Sequence, residues 1–327
     1  MSQAQAANPG SAHLSRDPAR RGAGPRCPIC AAAPGQSRHQ RRFAARGAEV
    51  LDLYRCRACA CEFLSPQPAD AWLASAYAGY FAKRRGSIAD PKVGFFQDLL
   101  RENCGDLNGR RLVEIGAAEG ECVLAAQALW PDCLITAVDG HPESAAYACR
   151  LPCQYFSETV ETWVARPSRE RYDACLMLDV LEHLRDPVSV LRTLVSERLA
   201  PGALVLAISP NVDALSRRLL GPFWPHYNIE HLHYLSRRGV EVLAGRCGLT
   251  TRRLTPWRKP LPLGYALDVL SHFGPAASRR VGRLARWLIP RAWDRRVLPL
   301  GLGGWLWVAQ RASESADEGP RLRPPRT

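Results

Sequence analysis

Short apolar segments alternate with helix-like segments from about residue 110 onward, and this alternation limits the possible folds more than any other feature of the sequence. The apolar segments predict strands at Arg111–Ile115, Leu134–Val138, Asp173–Leu178 and Leu204–Ile208. Helix-like segments lie between them, at 119–130, 142–150 and 187–199. This pattern predicts an α/β fold with a mainly parallel, doubly wound sheet that is covered on both faces. Ligands of such sheets bind outside the carboxyl ends of the strands, so functional residues are expected just after each strand.

The turn after the first predicted strand contains two glycines, Gly116 and Gly120. Glycines at these places let the backbone approach a ligand closely before a helix begins. The second predicted strand ends in Asp139, 23 positions beyond Gly116. A carboxylate there can accept hydrogen bonds from both hydroxyls of a ribose, which indicates a cofactor that contains a nucleoside. The alternative role for Asp139 is to cap a helix that starts at Pro142.

Two Cys-x2-Cys pairs lie nearer the amino terminus, one at Cys27 and Cys30 and the other at Cys56 and Cys59. Two thiolates at this spacing can chelate one metal ion from a tight turn, and two such turns complete a tetrahedral, all-cysteine zinc site. A site with four protein ligands has no open coordination position. Zn2+ bound there would therefore be structural.

Extended segments at 49–55 and 62–64 flank the second pair, as in a zinc ribbon. Turns of this kind usually carry glycine after the second cysteine, where left-handed backbone is favoured, but this chain has Ala31 and Ala60 there. Cys61 could also compete with Cys59 as a ligand. A vestigial ribbon without metal is therefore the alternative.

The net charge of +13 suggests nucleic acid, an anionic membrane surface or an acidic substrate as a partner. Residues 1–26 sum to +3 and residues 252–327 to +10, so the intervening stretch, which holds the motifs, sums to zero. The charge is thus weak support for an enzyme that acts on nucleic acid. It directs attention to the carboxyl-terminal region instead.

The 327 residues, 46% of them hydrophobic, are enough to bury a large core without disulfides. No stretch reaches the roughly 18 apolar residues of a membrane-spanning helix, and the amino terminus lacks the apolar segment of a secretory signal. Cysteines such as Cys122 and Cys175 lie in predicted core elements, which is typical of a reducing compartment. A cytoplasmic localisation is expected.

The pattern Glu114-x-Gly116-x-Ala118-x-Gly120 resembles the E/D-x-G-x-G-x-G signature of class I S-adenosylmethionine (SAM) dependent methyltransferases. The segments 172–187 and 230–236 are similar to the fourth-strand segment and a later segment of that family. Tyr77–Phe81 and 304–309 fit members of the family that carry a zinc ribbon. The resemblance implies a seven-stranded Rossmann-like sheet, SAM as the cofactor and methyl transfer as the reaction.

The resemblance also implies roles for individual residues. The residues expected beside the methionine part of SAM are Glu114, Gly116, Ala118 and Gly120. Asp139 would hold the ribose and Asp179 would face the cofactor. Tyr77 and Tyr80 would close over SAM, or they are simply core aromatics. Ala118 departs from the signature, and its methyl group could crowd the methionine part.

A hydroxyl acceptor needs a base with a pKa near neutrality, which suits histidine. His226, His231 and His233 cluster beyond the strand at 204–208, where acceptors are expected. His231 is the leading catalytic candidate, with His233 beside it; the alternative is a structural histidine bonded to a backbone carbonyl. No third ligand at metal-binding spacing is evident, so a catalytic metal is not expected.

The family pattern lapses between Trp257 and Leu302. Four arginines, at 279, 280, 283 and 286, alternate there with apolar residues at helical spacing and predict a basic amphipathic helix. One interpretation is a peripheral membrane contact, near a lipid-linked acceptor. The other is a helix packed against the sheet with a solvated arginine face.

The predicted organisation is a disordered tail at 1–26, a zinc-ribbon-like module at 27–68, a methyltransferase domain at 69–311 with a basic helical insertion near 257–302, and a disordered tail at 312–327. The predicted function is methyl transfer to a small-molecule or glycan acceptor, at oxygen or carbon. The alternatives are an RNA methyltransferase that holds RNA with the ribbon and the basic region, and a non-catalytic SAM-binding protein. The ribbon has few aromatics for base stacking, which makes nucleic acid an unlikely partner.

Overall fold

The computed structural model describes residues 13–15, 24–44, 50–77, 90–148, 150–228, 230–272 and 276–313. In chain order the strands are β1 (His13–Ser15), β2 (Ser37–Ala44), β3 (Val50–Cys56), β4 (Glu62–Ser65), β5 (Arg111–Ile115), β6 (Leu134–Val138), β7 (Gln154–Phe156), β8 (Tyr172–Leu178), β9 (Leu199–Pro210), β10 (His233–Tyr234), β11 (Leu249–Pro262) and β12 (Val297–Arg311). The α-helices are α1 (Asp70–Tyr77), α2 (Asp90–Cys104), α3 (Glu121–Leu129), α4 (Ala145–Ala148), α5 (Val160–Ala165), α6 (Pro187–Glu197), α7 (Leu215–Leu220), α8 (Arg237–Arg246), α9 (Leu263–His272) and α10 (Ala276–Leu288).

Seven of these strands form one sheet in the order β11-β12-β9-β8-β5-β6-β7. The neighbours from β9 to β7 pair in parallel, whereas β12 runs antiparallel to both β9 and β11. The predicted doubly wound, mainly parallel seven-stranded sheet is therefore confirmed. Sequence reasoning missed β7, because its three residues do not form an apolar run.

Apolar residues of the central strands supply core to both faces of this sheet. In β5, Val113 packs into one hydrophobic cluster while its neighbour Leu112 packs into the other. In β8, Cys175 and Leu176 divide in the same way. Successive side chains of a strand point to opposite faces, so a strand between two helical layers carries apolar residues on both faces.

The cysteine-containing segment forms a second, antiparallel sheet in the order β1-β2-β3-β4-β10. Its last strand comes from the later part of the chain, since Phe63 of β4 pairs with His233 of β10. The Ser236 hydroxyl donates a hydrogen bond to the Cys59 carbonyl at 2.5 Å, and the Arg246 guanidinium donates one to the Ile29 carbonyl at 2.5 Å. The predicted 27–68 module is thus joined to the rest of the chain by a shared sheet.

The two predicted disordered tails lie mostly outside the described residues. Of residues 1–26 the structure describes 13–15, which form β1, and 24–26; of residues 312–327 it describes 312 and 313.

The long strands β11 and β12 continue past the end of β9. The β9–β12 pairing stops at Pro210 opposite Gly304, but the β11–β12 pairing continues to Pro262 opposite Val297. The two strands therefore extend beyond the edge of the sheet at which the parallel strands end. Helices α9 and α10 connect them there, and α10 is the predicted basic amphipathic helix. Within the described parts of the chain, no helix combines the length and apolarity needed to cross a membrane.

Candidate active site

Backbone hydrogen bonds align the carboxyl ends of the parallel strands. The Gly116 N–H donates to the Val138 carbonyl at 2.8 Å, which holds the turn after β5 against the end of β6. The Asp139 N–H donates to the Phe156 carbonyl at 3.0 Å, and the Asp179 N–H to the Ile208 carbonyl at 2.9 Å. The turn after β5, Asp139 and Asp179 therefore lie along one edge of the sheet, where ligands of such folds bind.

Packing and backbone conformation both require glycine in the turn after β5. Gly116 and Gly120 have φ of 76° and 83°. A β-carbon on Gly116 would lie 2.6 Å from a methyl group of Val180, and one on Gly120 would lie 2.3 Å from Leu151. Ala118 adopts φ of 48° without being glycine, a conformation that costs roughly 1–2 kcal/mol.

Asp139 ties this turn to the end of β6. Its Oδ2 accepts a hydrogen bond from the Ala118 N–H and its Oδ1 accepts one from the His141 N–H, both at 2.8 Å. Helix α4 begins only at Ala145, so Asp139 closes a turn rather than capping that helix. An ionised carboxylate offers about four acceptor positions. Asp139 therefore keeps acceptor capacity for ribose hydroxyls.

Glu114 lies beneath the turn, with 4% of its surface exposed. Burial raises the pKa of its carboxyl well above the usual range, and the charges of Glu121 and Asp139 add to this effect. The Val123 N–H at the start of α3 donates a hydrogen bond to it. Glu114 thus supports the turn from inside the fold, and its place beside the methionine part of SAM stays a prediction.

Non-glycine residues with left-handed backbone lie at the ligand edge of the sheet and in the two cysteine turns. Within the described residues it occurs at Ala31 and Ala60 in the cysteine turns, and at Ala118 and Asp179 at the ligand edge of the sheet. Asp179 is exposed, with φ of 56°. Strain of this kind concentrates at binding and catalytic sites, because the surrounding structure must enforce it.

Two histidines meet beside this edge. The rings of His183 and His231 pack edge to face with centroids 4.8 Å apart. His183 Nδ1 lies 3.0 Å from the Glu230 carbonyl and His231 Nδ1 lies 2.8 Å from the His226 carbonyl. A carbonyl can only accept, so Nδ1 carries a proton in both rings, and in the neutral form of each ring the lone pair is on Nε2. Burial lowers the pKa of His183 to about 4, against the opposing effect of the Asp179 charge.

His233 has a different environment. It is 1% exposed in β10, and its Nε2 donates a hydrogen bond to the Leu184 carbonyl at 2.9 Å. Burial lowers its pKa to about 4. Of the two predicted catalytic histidines, only His231 lies beside a second histidine near the ligand edge. His233 is fully enclosed in β10, whereas the backbone-carbonyl bond that was the structural alternative for His231 is present in both residues.

The structure brings Glu182, His183 and His231 together. The sequence offers Glu182 and His183 as acceptor-side residues, with a helix-cap or packing role as the alternative, but it does not indicate that they meet His231 or supply a third metal-type ligand there. Potential ligand atoms of these three residues all lie within 4.8 Å of one another. The contact depends on a hydrogen bond of 2.7 Å from the Leu232 N–H to the Glu182 carbonyl, which brings the two segments together. His183 and His231 are 48 positions apart in sequence, so no local sequence pattern indicates that they are in contact.

The segment after β7 was also missed. Thr159 caps α5, because its side chain accepts a hydrogen bond from the Thr162 N–H. A β-carbon on Gly140 would lie 3.0 Å from the Thr159 backbone, so this segment lies directly against the end of β6. Because ligand residues are expected just after strands, recognising β7 in the sequence would have drawn attention to the segment at Thr159. Of the two predicted tyrosines, Tyr77 is the last residue of α1, and Tyr80 lies outside the described residues.

The four predicted metal-binding cysteines form one cluster. Cys27 Sγ lies 3.6 Å from Cys59 Sγ, and Cys30 Sγ lies 3.5 Å from Cys56 Sγ. All four sulfurs lie within 4.8 Å of one another. With Zn–S bonds of about 2.3 Å, the sulfurs of a tetrahedral site are roughly 3.8 Å apart, so the cluster has suitable dimensions.

The residues after each cysteine pair fit this arrangement although they are not glycine. Ala31 and Ala60 have φ of 58° and 62°, which is the left-handed conformation that such turns need. Their N–H groups donate hydrogen bonds to the carbonyls of Cys27 and Cys56 at 2.9 and 3.0 Å. The Cys61 sulfur lies 3.7 Å from the Ser236 hydroxyl and also contacts the Cys59 thiol.

Comparison with known proteins gives a match to one family model and several similar solved structures. A family model described as a methyltransferase domain matches residues 81–254, just over half of the chain. No curated protein matches the sequence significantly. Similar solved structures include a SAM dependent methyltransferase from Archaeoglobus fulgidus (16% identity, TM-score 0.46, covering 72% of this chain and 99% of that chain). Others are N-methyltransferase NodS from Bradyrhizobium japonicum (18%, 0.40, 69% and 90%) and the plantazolicin methyltransferase BpumL (12%, 0.43, 75% and 91%).

The matched residues contain the turn after β5, Asp139, Asp179 and both histidines of the pair. They also contain the parallel strands whose ends form the ligand edge. The chain therefore belongs to the methyltransferase domain family, in its class I SAM-dependent form.

Proposed function

We propose that the protein methylates a small-molecule or glycan acceptor, at an oxygen or a carbon atom, with His231 as the base. The observation that carries this proposal is the pair of histidines with Nδ1 held by a backbone carbonyl, next to Asp179 at the ligand edge. A fixed tautomer directs the Nε2 lone pair of each ring, and proton removal by a positioned base needs such a lone pair.

The cofactor side consists of the turn after β5, Asp139 and Asp179. SAM supplies an activated methyl group, so the chain has mainly to align the reactants and exclude water. Gly116 and Gly120 carry no side chain at the two ends of the turn, and Asp139 accepts hydrogen bonds from ribose hydroxyls while it holds the Ala118 N–H.

The acceptor side consists of the segment around His231 and the turn at 181–183. His231 would accept the proton of an acceptor hydroxyl, or of a carbon acid, at Nε2. The His226 carbonyl would stabilise the resulting imidazolium through the Nδ1–H. His183 packs edge to face against the base and limits how its ring can turn.

We also propose a structural Zn2+ at the four cysteines. The donor set is purely thiol, three of the four residues are buried, and the sulfur separations suit a tetrahedral ion. A hydrogen bond with Cys59 and burial raise the pKa of the Cys27 thiol above its usual range. A divalent cation would offset this preference for the protonated form, since thiolates are the zinc ligands.

Calorimetry with S-adenosylhomocysteine tests the cofactor side. Asp139→Ala should weaken binding by at least roughly 10-fold, because it removes two or more charge-assisted hydrogen bonds. Asp132→Ala, at an exposed position at the opposite end of β6, is the matched control and should bind like the wild type. Undiminished binding by Asp139→Ala would contradict the ribose assignment.

Transfer of a labelled methyl group from SAM tests the acceptor side. Label should enter the small-molecule or glycan fraction of a cell extract, and His231→Gln should lower the rate by roughly 100-fold or more while S-adenosylhomocysteine still binds. His39→Gln, in the second sheet, is the control. Label that enters RNA instead would favour the RNA methyltransferase alternative.

A further inference from the structure

Helix α10 exposes an apolar face. The exposed fractions are 64% for Val281, 57% for Leu284, 80% for Trp287 and 62% for Leu288. Residues 281, 284 and 288 recur three and four positions apart, so they lie on one face of the helix, with Trp287 beside them. Exposed apolar residues are common singly, but a contiguous patch of large side chains indicates a binding surface.

The opposite side of α10 is held by the protein. Gly282 is buried, and α10 packs along α9. The Arg286 guanidinium donates two hydrogen bonds to the Asp294 carboxylate, at 2.5 and 2.7 Å. The helix is therefore fixed in place, and its apolar face stays uncovered by any described residue.

Arginines border this face. Residues 276–296 contain seven arginines and one aspartate, a net charge of +6. Arg279, Arg280 and Arg283 are exposed and have no carboxylate partner within the described part of the chain. An anionic surface would complement this charge.

We propose that this face of α10 docks on the surface of a bilayer that contains anionic phospholipids. The lipid interface fits both features, since acyl chains can cover the leucine, valine and tryptophan side chains while the headgroup phosphates neutralise the arginines. Nucleic acid would neutralise the arginines but leave the apolar face in water.

The position of α10 determines which end of the protein would face the membrane. The helix is carried by the part of β11 and β12 that extends beyond Pro210, past the carboxyl ends of the parallel strands. It thus lies towards the same end of the sheet as Asp179 and the histidine pair. Docking would hold that end of the protein close to the membrane.

Sedimentation of the full-length protein with vesicles tests the proposal. The probes are phosphatidylcholine vesicles and vesicles with equal amounts of phosphatidylcholine and phosphatidylglycerol. The wild type should bind only the second kind. The triple variant Arg279→Glu, Arg280→Glu, Arg283→Glu should lose roughly 100-fold in partitioning, and Leu284→Ser with Trp287→Ser roughly 10-fold or more.

A control variant with the same change of net charge separates this face from the charge of the whole chain. It carries Arg150→Glu, Arg169→Glu and Arg238→Glu, at exposed positions on other elements, and it should partition within about 3-fold of the wild type. All substituted side chains are exposed, and S-adenosylhomocysteine binding checks that each variant is folded.

Five outcomes would overturn the proposal, four of them seen with vesicles or in solution and one with RNA. With vesicles, these are equal binding of the wild type to both kinds, an equal loss of binding for the control and the α10 variants, and no loss of binding for the α10 variants. In solution, it is a dimer that the serine variant converts to a monomer, without vesicle binding. RNA binding that depends on the three arginines but not on Leu284 and Trp287, with no vesicle binding, would also overturn it.

Discussion

Glu114 shows how one buried carboxyl supports the candidate site without reaching it. Its side chain lies under the turn after β5 and bonds to the start of α3. Its raised pKa means that it is protonated in the folded chain over a pH range in which an unfolded chain would ionise it. The folded state then binds the additional proton, so stability falls as the pH rises through this range.

Replacing Glu114 by Gln should make unfolding less dependent on pH. The wild type is expected to lose up to about 1.4 kcal/mol of unfolding free energy for each pH unit above the ordinary glutamate pKa, until the raised pKa is reached. The amide keeps the shape of the neutral acid and has no such loss. Urea denaturation between pH 5 and pH 8 measures the difference, and parallel pH profiles for the two proteins would contradict it.

Sequence reasoning found the residues of the cofactor side because each lies within a few positions of a strand end. Gly116, Asp139 and Asp179 follow apolar runs that could be read directly. The acceptor side differs, because His183 and His231 meet only when the segment before β10 folds back on the turn at 181–183. The pattern could name His231 as a candidate but could not separate it from His233, whose burial depends on pairing with β4.

At the scale of elements, the junction between the two sheets is held by a buried carboxylate. Glu62 of β4 is fully buried. Its carboxylate accepts a hydrogen bond from the Tyr227 hydroxyl at 2.6 Å and forms an ion pair with the Arg217 guanidinium of α7. Arg55 of β3 adds a second ion pair at 3.6 Å. The Glu62 side chain thus joins β4 to three other segments: β3, α7 and the segment that contains Tyr227.

Glu62→Ala should destabilise the protein by roughly 3 kcal/mol, because it leaves the partly buried Arg217 and Arg55 guanidiniums without their buried counter-charge and the buried Tyr227 hydroxyl without its acceptor. The matched control is Asp70→Ala, which removes the carboxylate that pairs with Arg185. The Asp70 side chain is 91% exposed, so this change should cost less than about 1 kcal/mol. Denaturant unfolding measures the free energy of unfolding of both variants. An equal loss in the two variants would contradict the stabilising role of the buried Glu62 carboxylate.

Elements were predictable to the extent that their own residues specify them. The bounds of β5 and β6 agree with the predicted strands, since three of the five residues of β5 and four of the five residues of β6 are apolar, which marks a strand in the middle of a sheet. In contrast, β7 and β10 have three and two residues. Such strands are defined by their neighbours, and the pairing of β10 with β4 joins segments about 170 positions apart in sequence.

At the scale of the whole molecule, the cysteine cluster is part of the main core. Cys27, Ile29 and Cys59 belong to the same hydrophobic cluster as Leu191 of α6 and Leu243 of α8. With the shared β4–β10 pairing, this continuity predicts that the two sheets unfold together.

Removal of the proposed Zn2+ should therefore lower the melting temperature of the entire chain, by roughly 5–10 °C, in a single transition. Calorimetry with and without a chelator, together with metal analysis, measures this. A double variant, Cys27→Ser with Cys30→Ser, should be insensitive to the chelator. A separate low-temperature transition, with the main one unchanged, would instead show an independent ribbon.

The position of β12 has a consequence for how the chain is made. This strand lies inside the large sheet, between β9 and β11, although it follows both of them in sequence. During synthesis at about 5–20 residues per second, β9 leaves the ribosome roughly 5–20 seconds before the residues that will cover its edge. Over that interval the nascent chain exposes an apolar strand with unpaired N–H and C=O groups, the kind of edge that recruits other chains. Premature release of the chain before Val297 should thus yield an aggregating fragment, even though the glycine turn, Asp139 and the histidine pair have all been synthesised by then.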